Sequence, residues 1–150
     1  EQGTLDQSGL VERMAEPWFD ADGFLLAVHD SRVVGFHWTK VHPASGDHPA
    51  YGEVYVIGVD PHAQAGGLGR ALLAAGLRHL HEGRLDLHDG RLDLNDGRLD
   101  LHDGRLDLHD GRLDEVVLYV EAENSAAIGL YESFGFTHAA RDTDVMYASV

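Results

Sequence analysis

At 150 residues, 43% of them hydrophobic, the chain is long enough for one domain with a sizeable core and is ordinary in composition for a globular protein. A net charge of −15 with the histidines neutral repels polyanions, which speaks against nucleic acid and anionic membrane as partners. The absence of cysteine excludes disulfides, thiolate metal sites and a cysteine nucleophile and fits a cytoplasmic location; no signal peptide or apolar run of membrane-spanning length is visible.

The first residue is Glu1 rather than Met and stands in mid-pattern, so the chain is expected to be a piece of a longer protein. Thr4 to Glu16 reads as a helix. Thr4 and Gln7 have capping-box spacing, Leu10 and Met14 lie four apart, Gly9 weakens the run and Pro17 ends it. The β-rich runs Gly23–His29 and Val33–His42 flank Asp30-Ser31-Arg32, a hairpin signature. Pro43 to Pro49 is a polar loop, and Gly52 to Val59 is the next strand. Regular alternation would put Glu53, Tyr55 and Ile57 on one face, and Gly58 implies a bulge or a close approach of backbone.

Gln64 to Arg70 reads Q-A-G-G-L-G-R and lies between that strand and a helix. Glycines there let backbone N–H groups close on an anion at the positive end of the helix dipole. No Lys-Ser/Thr follows and there is no G-x-G-x-x-G, so this is neither a P-loop nor a dinucleotide fingerprint. A glycine-rich helix start that binds nothing has the same pattern. On so acidic a protein, an anionic ligand would depend on local amides and a few cations such as Arg70. The helix that follows carries Leu73, Leu77 and Leu80, with Leu68 and Leu72 beside them. Gly76 costs it about 1 kcal/mol relative to alanine.

Gly83 to Asp110 is four copies of a seven-residue unit, GRLDLHD or GRLDLND, and a fifth begins at Gly111. The leucines sit at i and i+2, and glycine and aspartate recur in each copy, which excludes a coiled coil. Leu-Asp-Leu-His alternates like a short strand and Asp-Gly is a turn signal, so small hairpins, stacked turns and disorder all fit. His88, His102 and His109 stand next to aspartates, but repetition of a short coding unit explains them without a metal. Removing the block would leave a short helix-to-strand connection, so it is expected to be an insertion on a surface loop of a single domain.

Glu115 to Glu121 is a β-forming run. Asn124 then caps a helix with Ala127, Leu130, Tyr131 and Phe134 at i, i+3, i+4 and i+7, ended by Gly135. Phe136–Ala140 and Asp144–Ala148 read as a final pair of strands. His37 and His42 could act as bases, although a satisfied or exposed histidine accounts for each. No H-E-x-x-H is present and no metal is expected.

The cradle Gln64-x-x-Gly67-x-Gly69, followed by Asn124-x-x-Ala127-x-x-Leu130-Tyr131-x-x-Phe134-Gly135-Phe136, resembles the two signatures of the GCN5-related N-acetyltransferases. The resemblance implies their α/β (α+β) fold, a mixed and mostly antiparallel sheet with helices on both faces, and acetyl-CoA as cosubstrate. The strings W-F-D (Trp18–Asp20), G-F-H-W-T-K (Gly35–Lys40), G-E-V-Y-V-I-G-V-D-P (Gly52–Pro61) and D-T-D-V-M-Y (Asp142–Tyr147) resemble the C-terminal domain of the mycothiol synthase family. That family acetylates the cysteinyl amine of a cysteine–glucosamine–inositol conjugate. The same resemblance implies that the domain's first strand and helix and an N-terminal acetyltransferase-like domain are missing from this chain. The working unit is expected to be a monomer.

By resemblance, Ile57, Gly58 and Val59 would hold the acetyl carbonyl if the strand splays open at Gly58. Gln64, Ala65, Gly66, Gly67, Leu68, Gly69 and Arg70 would hold the pyrophosphate. Asn124, Ser125, Ala126, Ala127, Ile128 and Gly129 would meet the pantetheine arm. Attack of an amine on a thioester needs a neutral amine, a polarised carbonyl and a protonated leaving group. Tyr131 is the candidate acid, although its apolar neighbours also suit a core tyrosine. Glu53 is the candidate base, acting through water; on a face shared with Tyr55 and Ile57 a carboxyl would hold its proton more tightly, while a solvated strand-start residue is its plain reading. Glu1, Lys40, Glu53 and Tyr119 fall where the family binds the sugar conjugate. Gly66 stands where the family commonly has a basic residue. Two alternatives stay open: acetylation of another amine, such as a peptide N-terminus, and a non-catalytic acetyl-CoA-binding domain.

Overall fold

The computed structural model describes residues 6–64, 66–82, 91–93, 113, 115–139 and 142–149. Among these residues three α-helices, α1 (Gln7–Met14), α2 (Leu68–Glu82) and α3 (Ser125–Ser133), accompany seven strands: β1 (Phe24–His29), β2 (Arg32–His42), β3 (Tyr51–Val59), β4 (Arg91–Asp93), β5 (Glu115–Tyr119), β6 (Thr137–Ala139) and β7 (Asp142–Ser149). They form one mixed sheet in the order β4-β1-β2-β3-β5-β7-β6. The pairs β3/β5 and β1/β4 are parallel and the other four antiparallel.

The β1–β2 hairpin closes through Asp30 and Ser31, whose φ angles of 47° and 60° give the left-handed two-residue turn that matches strand twist. α1 is shorter than the Thr4–Glu16 reading. Asp6, not Thr4, is its N-cap, its carboxylate accepting from the Gly9 N–H at 2.8 Å; Thr4 lies outside the described residues. α3 is capped as expected, with Asn124 Oδ1 accepting from the Ala127 N–H at 3.2 Å, and Gly135 has a φ of 91°. The described part of the repeat block is β4, which pairs in parallel with Leu26–Val28 at the edge of the sheet. The histidine-bearing stretches of that block lie outside the described residues.

α2 and α3 cover one face of the sheet. Leu73, Leu77 and Leu80 of α2 share a core with Val54, Val116, Leu118, Tyr131, Phe136 and Met146; Leu68, Leu72 and Ala75 pack with Leu25 and Ala27. Leu113, within the fifth repeat copy, is also in the core at 6% exposure. The other face carries α1, tied to β3 where Arg13 Nε–H donates to the Tyr55 hydroxyl at 2.9 Å. Beneath it lies an aromatic cluster centred on fully buried Trp38, with Trp18, Phe19, Phe24 and Tyr55 around it.

The bulge in β3 is at Tyr55 rather than Gly58. Trp38 pairs with Val56 and Thr39 with Val54, so Tyr55 is the extra residue. Gly58 answers instead to a close approach, since a Cβ there would meet the Phe36 ring at 2.8 Å. The extra residue also changes the phase of the strand. Glu53 and Tyr55 share the α1 face, as expected, but Ile57 is turned to the α2 face, where it packs against both core clusters.

His37 is fully buried against α2, and its Nδ1–H donates to the Leu72 carbonyl at 2.8 Å. Burial, opposed by that hydrogen bond and aided by the charge of His79, lowers its pKa from 6.5 to about 4. It is therefore neutral and structural, not a base. The unfolded chain binds this proton near 6.5 and the folded chain only near 4, so stability is unaffected above pH 6.5 and falls as pH drops through that window. The expected loss is about 3 kcal/mol once pH 4 is passed. Urea unfolding between pH 7 and pH 4, beside an NMR titration of His37, checks this; a folded-state His37 that titrates near 6.5 would contradict it.

Candidate active site

β3 lies against β5 only over Gly52–Val54, opposite Val116–Leu118. Its pairing with β2 continues to Val59, so from Tyr55 onward its other edge is open. The splay thus begins three residues before Gly58. The Asp60 N–H donates to the Val34 carbonyl at 2.8 Å, on the β2 side. Amides alternate edges along a strand, which turns the N–H groups of Ile57 and Val59 toward the gap.

A cleft of about 740 Å³ opens at this splay. Its walls include Ile57 on β3, Gly69 in the first turn of α2, Tyr119 at the end of β5, and Asn124, Leu130 and Tyr131. Gly69 sits where the three elements meet, its missing Cβ 3.7 Å from Leu130 and 3.9 Å from Val59. Just before it, Gly66 and Gly67 have φ angles of 120° and 80°, a backbone state that side chains resist. Among the described residues a Cβ on either would meet nothing within 4 Å, which leaves this turn at the α2 N-terminus room for a ligand. Gln64 adjoins it, and Ala65 is outside the described residues. Arg70 does not reach into this turn: its Nη1 donates to Ser133 Oγ at 2.9 Å and its guanidinium lies 4.6 Å from the Phe134 ring centre. It thereby links the start of α2 to the end of α3.

Of the α3 residues expected to meet a cofactor, Asn124 and Ala127 line the cleft with Leu130 and Tyr131, one helical face. Ser125, Ala126, Ile128 and Gly129 are not part of the cleft wall, and Ile128 packs on the core instead. Tyr131 is 6% exposed, and burial pushes its phenol pKa above the usual 10. Among the described residues no hydrogen bond engages its hydroxyl. It is both a core tyrosine, 6.0 Å from the Phe136 ring, and a protonated group lining the cleft.

Glu53 belongs to the opposite face. It is buried, and its Oε2 lies 2.5 Å from His42 Nε2. Lys40 is its register partner on β2, with the ammonium 4.3 Å from the Trp18 ring centre and 5.4 Å from that of Tyr55. Tyr119 is 56% exposed at the cleft, and Glu1 is outside the described residues. The fold thus places Tyr131 in the cleft at the splay and Glu53 on the opposite face of the sheet, opposite Val117 in the paired stretch two residues before the splay begins.

The sequence reading missed the His42–Glu53 contact and the packing of Trp18 beneath Lys40. It also missed the cleft wall built by Val120 to Glu123. The first two depend on cross-strand register, and the wall residues carry no motif.

The sequence pattern described as acetyltransferase (GNAT) domain matches residues 20–138. The chain is 49% identical to a mycothiol acetyltransferase of Kocuria rhizophila over 99% of its own length and 40% of the relative's. It thus spans well under half of that protein. In fold it is similar to Ard1 of Thermoplasma volcanium, with a TM-score of 0.63 at 18% identity over 97% of this chain and 80% of the other. It is likewise similar to Arabidopsis thaliana Naa50 in complex with a bisubstrate analogue, CoA-Ac-MVNAL, with a TM-score of 0.59 at 17% identity over 100% and 95% of the two chains. The open-edged β3, the glycine turn leading into α2 and the family match over most of the chain agree: this chain belongs to the acetyltransferase (GNAT) domain family.

Proposed function

We propose that this domain transfers an acetyl group from acetyl-CoA to the cysteinyl amine of a cysteine–glucosamine–inositol conjugate. The observation that carries the reaction class is the splay of β3 from β5, with a protonated Tyr131 lining the cleft that opens there; Glu53 stands on the opposite face of β3, two residues before the splay. Kinship with mycothiol acetyltransferases supports the acceptor. In the whole protein an N-terminal acetyltransferase-like domain accompanies this one, and Gly83–Asp110 is an insertion within it, the core resuming at Leu113.

Acetyl-CoA supplies the acyl group already activated as a thioester. The open turn at Gly66 and Gly67, at the positive end of α2, suits its pyrophosphate. The amides of Ile57 and Val59 polarise the carbonyl and hold the charge that develops on its oxygen. Glu53 takes a proton, through a water, from the acceptor ammonium and so frees the nitrogen lone pair. The nitrogen–carbon bond forms and the carbon–sulfur bond breaks, Tyr131 giving its proton to the sulfur. Of the two protons the ammonium sheds, one leaves through Glu53 and the other makes good the one lost by Tyr131. Lys40 on β2 and Tyr119 at the end of β5 serve the sugar.

Release of free CoA thiol tests the reading. With acetyl-CoA and the conjugate, turnover is expected to exceed that with a peptide N-terminal amine by at least about a hundredfold, the discrimination within reach of a site that hydrogen-bonds its substrate. Faster turnover with the peptide would overturn the acceptor assignment. Coenzyme A binding without turnover on either would overturn the catalytic one.

A further inference from the structure

We infer that His42 is a positioning residue for Glu53, fixing one oxygen of its carboxylate on the face of β3 opposite the cleft, two residues before the splay. The inference rests on the reading of Glu53 as the base. Glu53 and His42 sit two registers apart on adjacent strands, β3 and β2, where His42 pairs with Tyr51 and Lys40 with Glu53. The imidazole lies flat on Tyr51, ring centres 4.4 Å apart and planes 12° apart, which fixes its plane. Nε2 then meets Glu53 Oε2 at 2.5 Å. An ionised carboxylate only accepts hydrogen bonds, so Nε2 must carry the hydrogen.

The cation nearest in register does not do this work. Lys40 faces Glu53 across the strands, but its ammonium is held over Trp18 and Tyr55. Among the described residues no ion pair joins it to Glu53. One carboxylate oxygen is thus engaged by His42, which leaves the other for water and the acceptor ammonium. A base held within a few tenths of an ångström by a second group is what proton abstraction at a fixed site requires. His42 acts through Glu53 and need not touch substrate.

Two substitutions separate this role from simple packing. His42→Phe keeps the ring on Tyr51 and removes the donor; His42→Gln keeps an N–H donor near the position of Nε2 and removes the ring. Positioning predicts that His42→Phe lowers kcat about ten- to a hundredfold with KM for acetyl-CoA unchanged, and that His42→Gln recovers most of that loss. The reverse order, Phe active and Gln impaired, would overturn the inference and make His42 a stacking residue. Glu53→Gln in the same assay separates the two levels of the argument. If it turns over like the wild type, Glu53 is not the base; if it is slow while His42→Phe is fast, only the positioning role fails. A second measurement needs no turnover: ¹⁵N spectra of the imidazole are expected to show hydrogen on His42 Nε2 and a changed Nε2 signal in Glu53→Gln. A bare Nε2, or a signal indifferent to Glu53→Gln, would overturn the inference.

Discussion

Replacing Tyr131 by phenylalanine is expected to lower kcat by about a hundredfold to ten-thousandfold, the range for loss of a positioned acid, with KM for acetyl-CoA little changed. The hydroxyl is the only atom removed. The ring stays beside Phe136 and in the core with Leu77, Leu118 and Met146, so the fold is retained. The phenol suits the task because burial raises its pKa: it stays protonated through the neutral range and has a proton to give when a thiolate departs. The same position makes it a poor nucleophile, which is consistent with direct attack by the amine. Steady-state kinetics on folded Tyr131→Phe check this, and a loss smaller than about threefold would remove Tyr131 from the mechanism.

The second large effect concerns the fold. Gly76 lies in the middle of α2, where alanine would normally be favoured by about 1 kcal/mol. A Cβ at that point would overlap the His37 ring at Cε1 and Nδ1. The absence of a side chain is what lets the imidazole reach the helix backbone and donate to the Leu72 carbonyl at 2.8 Å. Gly76→Ala would force the ring out or the helix off the sheet, and would strand buried polar groups. Overpacking and a lost buried hydrogen bond together outweigh the helix propensity gained, for a net loss of about 2 to 4 kcal/mol. The sign should reverse without the ring: in a His37→Ala background the same Gly76→Ala change should stabilise slightly, by up to about 1 kcal/mol. Urea unfolding of the four proteins completes the cycle, and a neutral Gly76→Ala in the wild-type background would contradict the account.

Much of the fold was legible where the signal is local. Asp30-Ser31 set the hairpin, Asn124 and Gly135 bounded α3, and the leucines of α2 all faced the core, because each depends on neighbours a few residues away. What was not legible depends on pairing between distant segments. Tyr55 carries no mark of a bulge, since neither glycine nor proline announces it; its effect, turning Ile57 to the opposite face from Glu53, appears only once β2 is laid against β3. Gly58 looked like the irregular residue because glycine is the common signal, yet its reason is the Phe36 ring. The cost assigned to Gly76 in isolation had its cause in His37, 39 residues earlier in the chain. At the site, the cradle and the α3 signature were readable as motifs. The link from Arg70 to Ser133 and Phe134 was not legible, because those partners are brought to it by the fold. The His42–Glu53 contact was invisible because the length of the intervening loop does not reveal register.

The measurement that bears most directly on the central claim is the mass spectrum of the product formed from acetyl-CoA and the cysteinyl conjugate. Thiol release alone does not distinguish amide formation from acetylation of the cysteine sulfur or hydrolysis of the thioester. One acetyl group on the cysteinyl nitrogen, formed by the wild type and strongly reduced in Tyr131→Phe at equal time, is the predicted result. Acetyl found on sulfur, or coenzyme A released with no acetylated conjugate, would contradict amine attack at the splay between β3 and β5.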